Sequence, residues 1–389
     1  MIRIGIIIPA LKGWMGGLNY IKNLLYAVSL TSERKIEFVL FFGEKSDENI
    51  IPLFKNLGEI VRTPILDETN FKGFLNILSW RLFGGSFLMN KEFKKNNIDI
   101  ISHSRVFLKN SEYGIINWIP DFQHLHIPEM FSFLEKKYRI YLFKSYAKNS
   151  DVVILSSNDT MDSYKKLFPG YINKVNILQF VSQPDQKIYK IKDTKKIEEK
   201  YGFSGNFFYL PNQFWKHKNH IIILKALRLL KKEGKNVLVL CTGQVKDYRN
   251  KKHFENIFQY VKENNLENNI KFLGLVDYID VLVLMRHCIS VINPSLFEGW
   301  SSTVEEAKSI GKNILLSNLN VHREQNPPNS IYFNPHNEKE LAKKLWKKWQ
   351  QNKEGPDFEL EKIARKNIKM RTREFGEKYQ NIVLNIINK

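Results

Sequence analysis

Two glutamates, Glu298 and Glu306, stand eight residues apart, with Gly299, Ser301, Ser302 and Thr303 between them. A turn rich in hydroxyls and glycine ahead of a helix offers backbone N–H groups and the positive end of the helix dipole to an anion. Two acids facing a phosphate would repel it. Their chemistry is that of acceptors: Glu306 suits a ribose diol and Glu298 a sugar hydroxyl, with the loop N–H groups holding a phosphate between them. The same spacing also occurs on solvated helix faces, so the surroundings must decide.

Further residues could serve such a ligand. Lys218 and Asn219 stand at the start of a helical pattern, where a cation and free N–H groups suit a diphosphate. Taken alone, a loop lysine is usually just solvated. Gly16 and Gly17 close the turn Lys12-Gly13-Trp14-Met15-Gly16-Gly17, where missing side chains let backbone approach a ligand or simply relieve a tight turn. Asp121, His124 and His126 lie in a loop after an apolar run. Asp121 or a neutral imidazole could accept a proton from an attacking hydroxyl, or the histidines could cap a helix or brace the loop.

These residues need elements to position them. Cys288 to Ile292 reads as a buried strand, Thr303 to Ile310 as a helix with Ser301 or Ser302 as its N-cap, Gly311 as its end, and Lys312 to Ser317 as the next strand. Strand, loop, helix, strand is one unit of a parallel α/β sheet, whose ligands bind at the carboxyl edge. Further strands are expected at 3–10, 36–42, 60–63, 98–102, 115–119, 152–156 and 175–180, and after a polar, lysine-rich linker at 206–210, 237–241 and 270–273. Helices are expected at 18–30, 158–167, to 232, 277–286, 338–349 and 358–387. Residues 70–95 interleave aromatics with Lys72, Arg81, Lys91, Lys94 and Lys95. That pattern suits an ordinary amphipathic helix on the sheet or one lying in a membrane interface.

With Asn293-Pro294-Ser295 ahead of it and Ala307 and Gly311 behind, Glu298-GWSSTVE-Glu306 resembles the E-x7-E signature of family 4 of the retaining glycosyltransferases (glycosyl transferases group 1). The segment IPDFQHLHIPE resembles the same family's HD-x-x-x-x-x-x-PE loop. Asp121, Pro128 and Glu129 match, and Pro120 replaces the usual histidine. Lys218 matches the family's phosphate-binding lysine, Gly16 and Gly17 its donor-facing glycines, and Gly274 its base-binding turn. Gln213 stands where an arginine is usual. The resemblance spans nearly the whole chain, strongest in the second half.

It implies α/β architecture of the GT-B type: two facing Rossmann-like α/β/α domains with an interdomain cleft. Residues 1–185 would bind the acceptor, residues 186–369 the nucleotide-sugar donor, and helix 370–389 would pack back on the first domain. It implies a transferase that moves a sugar from a nucleotide-diphosphate sugar to a hydroxyl of a glycan or lipid-linked acceptor, with retention of configuration, in bacterial surface polysaccharide or lipid-linked oligosaccharide synthesis. The catalytic set would be Asp121, His124, His126 and Glu298. The donor set would be Gly16, Gly17, Lys218, Asn219, Glu298, Gly299, Ser301, Ser302, Thr303 and Glu306. The chain contains no D-x-D, so no metal and no cofactor is expected; Lys218, the loop N–H groups and the glycine turn would meet the leaving-group charge.

The whole-chain numbers agree with that reading. A chain of 389 residues suits two domains, and 43% hydrophobic with 26% charged residues is globular. Two cysteines make no disulfide framework, so a cytoplasmic setting is expected. The formal charge of +20 invites nucleic acid, an anionic membrane surface or a merely basic background. No nucleic-acid motif accompanies the lysines, which leaves peripheral contact with the inner face of the membrane as the specific option. The rival readings are a nucleotide-sugar epimerase on the same fold and a non-catalytic polyanion- or membrane-binding protein.

Overall fold

The computed structural model describes every residue except 9–14, 108–110, 193, 248, 251, 352–354 and 389, with backbone alone at 15 and 81. Two compact units result: residues 1–124, 132–181 and 370–389 form one, and residues 125–131 and 182–369 the other. Segment 125–131 lies with the second unit, not the first as its place in the chain suggests. Ile127, Met130 and Phe131 bury themselves with Phe297, which holds it there.

The first unit is a seven-stranded sheet of β1 (Ile2–Ile7), β2 (Ile36–Phe42), β3 (Glu59–Arg62), β4 (Ile100–Ser102), β5 (Gly114–Ile119), β6 (Val152–Leu155) and β7 (Val175–Ile177). The order is β3-β2-β1-β4-β5-β6-β7, and every pairing is parallel. The apolar runs that form the central strands are buried on both faces, as parallel sheets require. The second unit repeats the plan with β8 (Phe208–Leu210), β9 (Val239–Thr242), β10 (Ile270–Gly274), β11 (Val291–Asn293), β12 (Ile314–Ser317) and β13 (Ile331–Phe333), in the order β10-β9-β8-β11-β12-β13. Alternation along β8 sends Phe208 and Leu210 into one core and Tyr209 into the other. Helices His220–Lys232 and Glu338–Gln350 cover the first of these cores, and helices Tyr278–His287 and Ser302–Ile310 the second.

In both sheets the strand order reverses beside the first strand, between β1 and β4 and between β8 and β11. Loops leaving the carboxyl ends of such neighbours diverge and open a crevice. The sequence reading placed these strands within a few residues of their observed bounds, except β13 (Ile331–Phe333), which it did not expect. Other elements differ too. Helix Met15–Ser29 starts earlier than expected, so Gly16 and Gly17 sit in its first turn and not in a loop; the turn residues 12–14 lie outside the described residues. Residues 70–95 form two helices, Phe71–Phe83 and Phe87–Lys95. Gly84 in a left-handed conformation ends the first, and the Ser86 hydroxyl caps the second. Helix Phe133–Asn149, opened by a capping box of Ser132 and Glu135, had no counterpart in the sequence reading.

The last helix, Phe358–Ile387, contributes residues to both units. In the second, Glu361 forms a buried ion pair with Arg286 at 3.1 Å. In the first, the Tyr379 hydroxyl donates to Ser102 Oγ at 2.8 Å, and Gly376 lies against the backbone of Ala27 and Val28. A Cβ at Gly376 would run into the Ala27 carbonyl. Gly376→Ala should therefore cost about 1–3 kcal/mol by forcing the two helices apart, read as a lower urea midpoint with secondary structure retained by circular dichroism.

Candidate active site

The loops after β8 and β11 meet at the carboxyl edge of the second sheet, and polar side chains lace them together. Asn293, the last residue of β11, donates through Nδ2 to Ser301 Oγ at 2.8 Å and accepts from Asn212 Nδ2 at 3.2 Å. Thr303 Oγ1 donates to Asn212 Oδ1 at 3.0 Å. Asn219 adopts a left-handed conformation, which asparagine tolerates, and its amide donates to the carbonyls of Pro294 and Pro335. The Leu296 N–H donates to the His217 carbonyl at 2.8 Å. Lys218 and Glu298 are thus held by a stitched frame of backbone.

Within that frame Lys218 Nζ lies 2.6 Å from Glu298 Oε1. The Ser295 hydroxyl sits 2.6 Å from the same oxygen and 2.7 Å from Asn293 Oδ1, with one proton to give to either. Both members of the ion pair are largely buried. Burial pushes the Glu298 carboxyl up, but the Lys218 charge, His322 and the hydrogen bonds from Lys218 and Ser295 outweigh it and hold the group below its ordinary value. Glu298 is therefore an anion over the neutral range.

Glu306 is tuned the opposite way. It lies one and a half turns into helix Ser302–Ile310 and is buried, and its charge has no cationic partner among the described residues. Burial raises its carboxyl to about 7, while the hydrogen bond from the Tyr278 hydroxyl, 2.9 Å to Oε1, pulls the other way. Burial and the neighbouring Glu306 charge push the Tyr278 hydroxyl well above its usual value, so it remains a donor. Near neutrality Glu306 is balanced between an acceptor-only carboxylate and a carboxylic acid.

The hydroxyl-rich turn serves differently from the sequence reading. Ser301 occupies the N-cap position but makes no side-chain cap; its hydroxyl accepts from Asn293 instead. Its N–H donates to Gln325 Oε1 at 3.1 Å, and Gln325 Nε2 donates back to the Ser301 carbonyl. The N–H groups of Ser302, Thr303 and Val304, in the first turn after it, have no intrahelical acceptor, and that of Glu305 donates to the Ser301 carbonyl. Ser302 is exposed, and Gly299 and Trp300 are half-buried beside it.

The acceptor-loop residues divide. Asp121 Oδ1 accepts the Gln123 N–H at 2.9 Å, an Asx turn that shapes the loop. His124 is buried with its ring near Phe122 and Phe143. His126 is exposed and stacks on Phe297 at 5.0 Å, next to Glu298 in the chain. Structurally, then, Lys218, Asn219, Glu298, Gly299, Ser301, Ser302, Thr303, Glu306 and His126 come together on the second unit. Asp121, His124, Gly16 and Gly17 belong to the first.

Sequence reasoning missed several residues. Asn212, Asn293, Ser295 and Gln325 hold the loops. The Asn-Pro-Ser setting hinted at two of them, and the segment Val321-His322-Arg323-Glu324-Gln325, which the sequence offers as one that could line the site, supplies Gln325 and His322. Tyr278 left no pattern at all. His322 is fully buried, with Nδ1 2.8 Å from the Ser317 carbonyl, so that nitrogen carries the proton. Its Nε2 has no partner among the described residues. Burial lowers its pKa while Glu298 raises it, which marks how near the imidazole lies to that carboxylate. In place of the arginine that the family resemblance leads one to expect at Gln213, Arg249 reaches this edge, with its guanidinium 5.2 Å from the Trp215 ring and 3.2 Å from Asp247.

Residues 191–370 match the family model described as Glycosyl transferases group 1. The chain is 23% identical to the O-antigen chain mannosyltransferase RfbU of Salmonella typhimurium over 291 residues, 74% of this chain and 75% of that one. It is also 23% identical to the capsular polysaccharide biosynthesis glycosyltransferase CapH of Staphylococcus aureus, over 82% of this chain and 87% of that one. The crystal structure of HepE from Anabaena in complex with UDP and glucose superposes with a TM-score of 0.67 at 16% identity and covers 100% of both chains. Residues 191–370 thus carry a group 1 glycosyltransferase domain, the fold is GT-B, and the chain is a glycosyltransferase.

Two outcomes follow from the buried carboxylates. Lys218→Met leaves Glu298 buried and unpaired, which should cost about 3 kcal/mol, while Lys218→Met with Glu298→Gln should recover part of it; urea unfolding of both variants checks this. For Glu306 the folded carboxyl is raised above its unfolded value, so its stabilising effect is complete below pH 4.5 and is lost as pH rises through about 7. Glu306→Gln should remove up to about 3 kcal/mol of that loss, seen as a smaller fall in unfolding free energy between pH 5 and pH 8 than the wild type shows.

Proposed function

We propose that this glycosyltransferase retains configuration, takes its sugar from a nucleoside-diphosphate donor bound at the second sheet, and builds a bacterial surface polysaccharide or lipid-linked oligosaccharide. The observation that carries the reading is the Lys218–Glu298 pair at 2.6 Å, set at the crevice between β8 and β11, with Glu306 eight residues on. The names of RfbU and CapH, an O-antigen and a capsule enzyme, support the product class. The UDP and glucose in the HepE structure support the donor class.

In this reading the ribose diol donates to the Glu306 carboxylate, and Tyr278 shares that carboxylate. Lys218 turns from Glu298 toward the diphosphate, and the N–H groups from Ser302 onward face the same charge. Glu298, released from full pairing, accepts from a hydroxyl of the transferred sugar. Such groups are fixed before the reaction and meet the negative charge that grows on the leaving diphosphate. We propose that no metal ion is needed for this. For the acceptor hydroxyl the exposed His126 is favoured over the buried His124.

The test is a thermal-shift panel of UDP, GDP, dTDP, ADP and CMP against the wild type and Glu306→Ala. One diphosphate at ~100 times its dissociation constant should stabilise the wild type by about 2.7 kcal/mol and leave the variant unmoved. No shift with any of them would sink the donor assignment. Incubating the chosen donor sugar without acceptor separates transfer from epimerisation, because a transferase leaves the donor sugar's configuration unchanged. The anomeric configuration of the product, read by NMR, decides retention.

A further inference from the structure

Two helices of the first unit turn apolar side chains to solvent. On Phe71–Phe83 these are Phe71, Phe74, Leu75, Leu78, Leu82 and Phe83, spaced at three, four and seven residues along one stripe. Phe71 is 74% exposed and Leu82 63%. On Phe133–Asn149 the stripe is Phe133, Leu134, Tyr138 and Tyr141, with Leu134 75% exposed. This second helix also buries Phe143, Tyr146 and Ala147, so it is apolar on both faces. A helix that serves only its own core keeps its outer face polar. One apolar face of Phe133–Asn149 is thus unaccounted for by the fold.

The two helices meet through one residue. The Phe107 N–H donates to the carbonyl of Gly84, which ends the first helix, at 2.7 Å, and the Phe107 ring lies 5.9 Å from that of Tyr146 in the second. The second helix carries several cations among its apolar groups, and the first helix adds Lys72. Helix Phe133–Asn149 holds Lys136, Lys137, Arg139, Lys144 and Lys148 against one acid, Glu135, which is spent in the capping box. Lys137 lies over the Phe133 ring at 4.4 Å, so its long stem runs along aromatic surface with the ammonium outward, and the separate helix Phe87–Lys95 repeats the arrangement with Lys91 over Phe87 at 5.5 Å.

From this geometry we infer that helices Phe71–Phe83 and Phe133–Asn149 form a docking platform for an anionic lipid surface, on which the enzyme meets a lipid-linked acceptor. Aromatic and aliphatic groups enter the interface to the depth of a side chain, and the lysines meet the headgroups. Each cation near an anionic surface adds roughly 1 kcal/mol at low salt. A second copy of the chain fits poorly, because pairing the face of Phe133–Asn149 with itself would set lysine against lysine. Helix Phe133–Asn149 also follows directly on Asp121–Glu129, so a lipid contact there would bring the acceptor loop to the membrane. The acceptor class rests on the function proposed above, whereas the lipid contact stands on the exposed faces alone.

The test uses the full chain, with vesicles of phosphatidylcholine alone and of phosphatidylcholine with phosphatidylglycerol at about 7:3, cosedimented at low and high salt. The wild type should partition onto the anionic vesicles, at least tenfold less at high salt. F71S/F74S/L82S and L134S/Y138S/Y141S should each weaken that binding at least tenfold while keeping the wild-type thermal shift with nucleotide. A wild type that ignores anionic vesicles overturns the proposal. So does binding that survives both sets of substitutions. A wild-type dimer that either set splits would assign the faces to a second copy and overturn it as well. Because the nucleotide shift is measured separately, failure of the platform and failure of the donor site cannot be confused.

Discussion

A buried carboxylate is tolerated only when something answers its charge, and Glu298 imposes that condition on everything around it. Lys218 answers it directly, and Ser295 adds a hydroxyl. Keeping Lys218 in place requires the His217–Leu296 and Asn219–Pro294 contacts between loops, and these require β8 and β11 to be neighbours. Asn293, Asn212 and Thr303 then fill the space beneath with paired donors and acceptors, so that the polar frame is satisfied before any ligand arrives.

Glu306 shows the same burial resolved without a cation. It shares its helix with first-turn N–H groups that have no intrahelical acceptor. A tyrosine hydroxyl stabilises its charge modestly and leaves its proton equilibrium near neutrality. One site therefore holds two carboxylates with opposite tuning, set by what each neighbour can donate. This is the usual way in which one fold assigns distinct roles to chemically identical groups.

The first unit repeats the strand order of the second but spends its surface differently. Its sheet is as buried, and its own crevice lies between β1 and β4. Near it, His103 is held in a left-handed conformation between Tyr20 and Ser102, and burial lowers its pKa to about 3, so it remains neutral. Its outer helices are the exposed, apolar ones. A duplicated architecture thus carries a tightly paired polar site in one copy and an outward hydrophobic face in the other.

Much of this was legible in the chain. Period-free apolar runs located the strands, because strands buried on both faces need no polar alternation. The strand–loop–helix setting of Glu298 and Glu306 placed both acids at a carboxyl edge. Glycine misled at Gly16 and Gly17, where the same residues can open a loop or sit in a helix's first turn. Helix Phe133–Asn149 escaped notice because its apolar residues lie on both sides and blur the helical period. Sequence alone determined the parallel sheets, the edge and the acids, since these follow from local pattern. Tertiary structure alone decided that Glu298 is anionic while Glu306 titrates near 7, that Tyr278 and His322 stand beside them, and that His126 and not His124 faces outward. Charge state and exposure depend on what lies across space, and partners such as Lys218 and Glu298, eighty residues apart in the chain, meet only when the sheet forms.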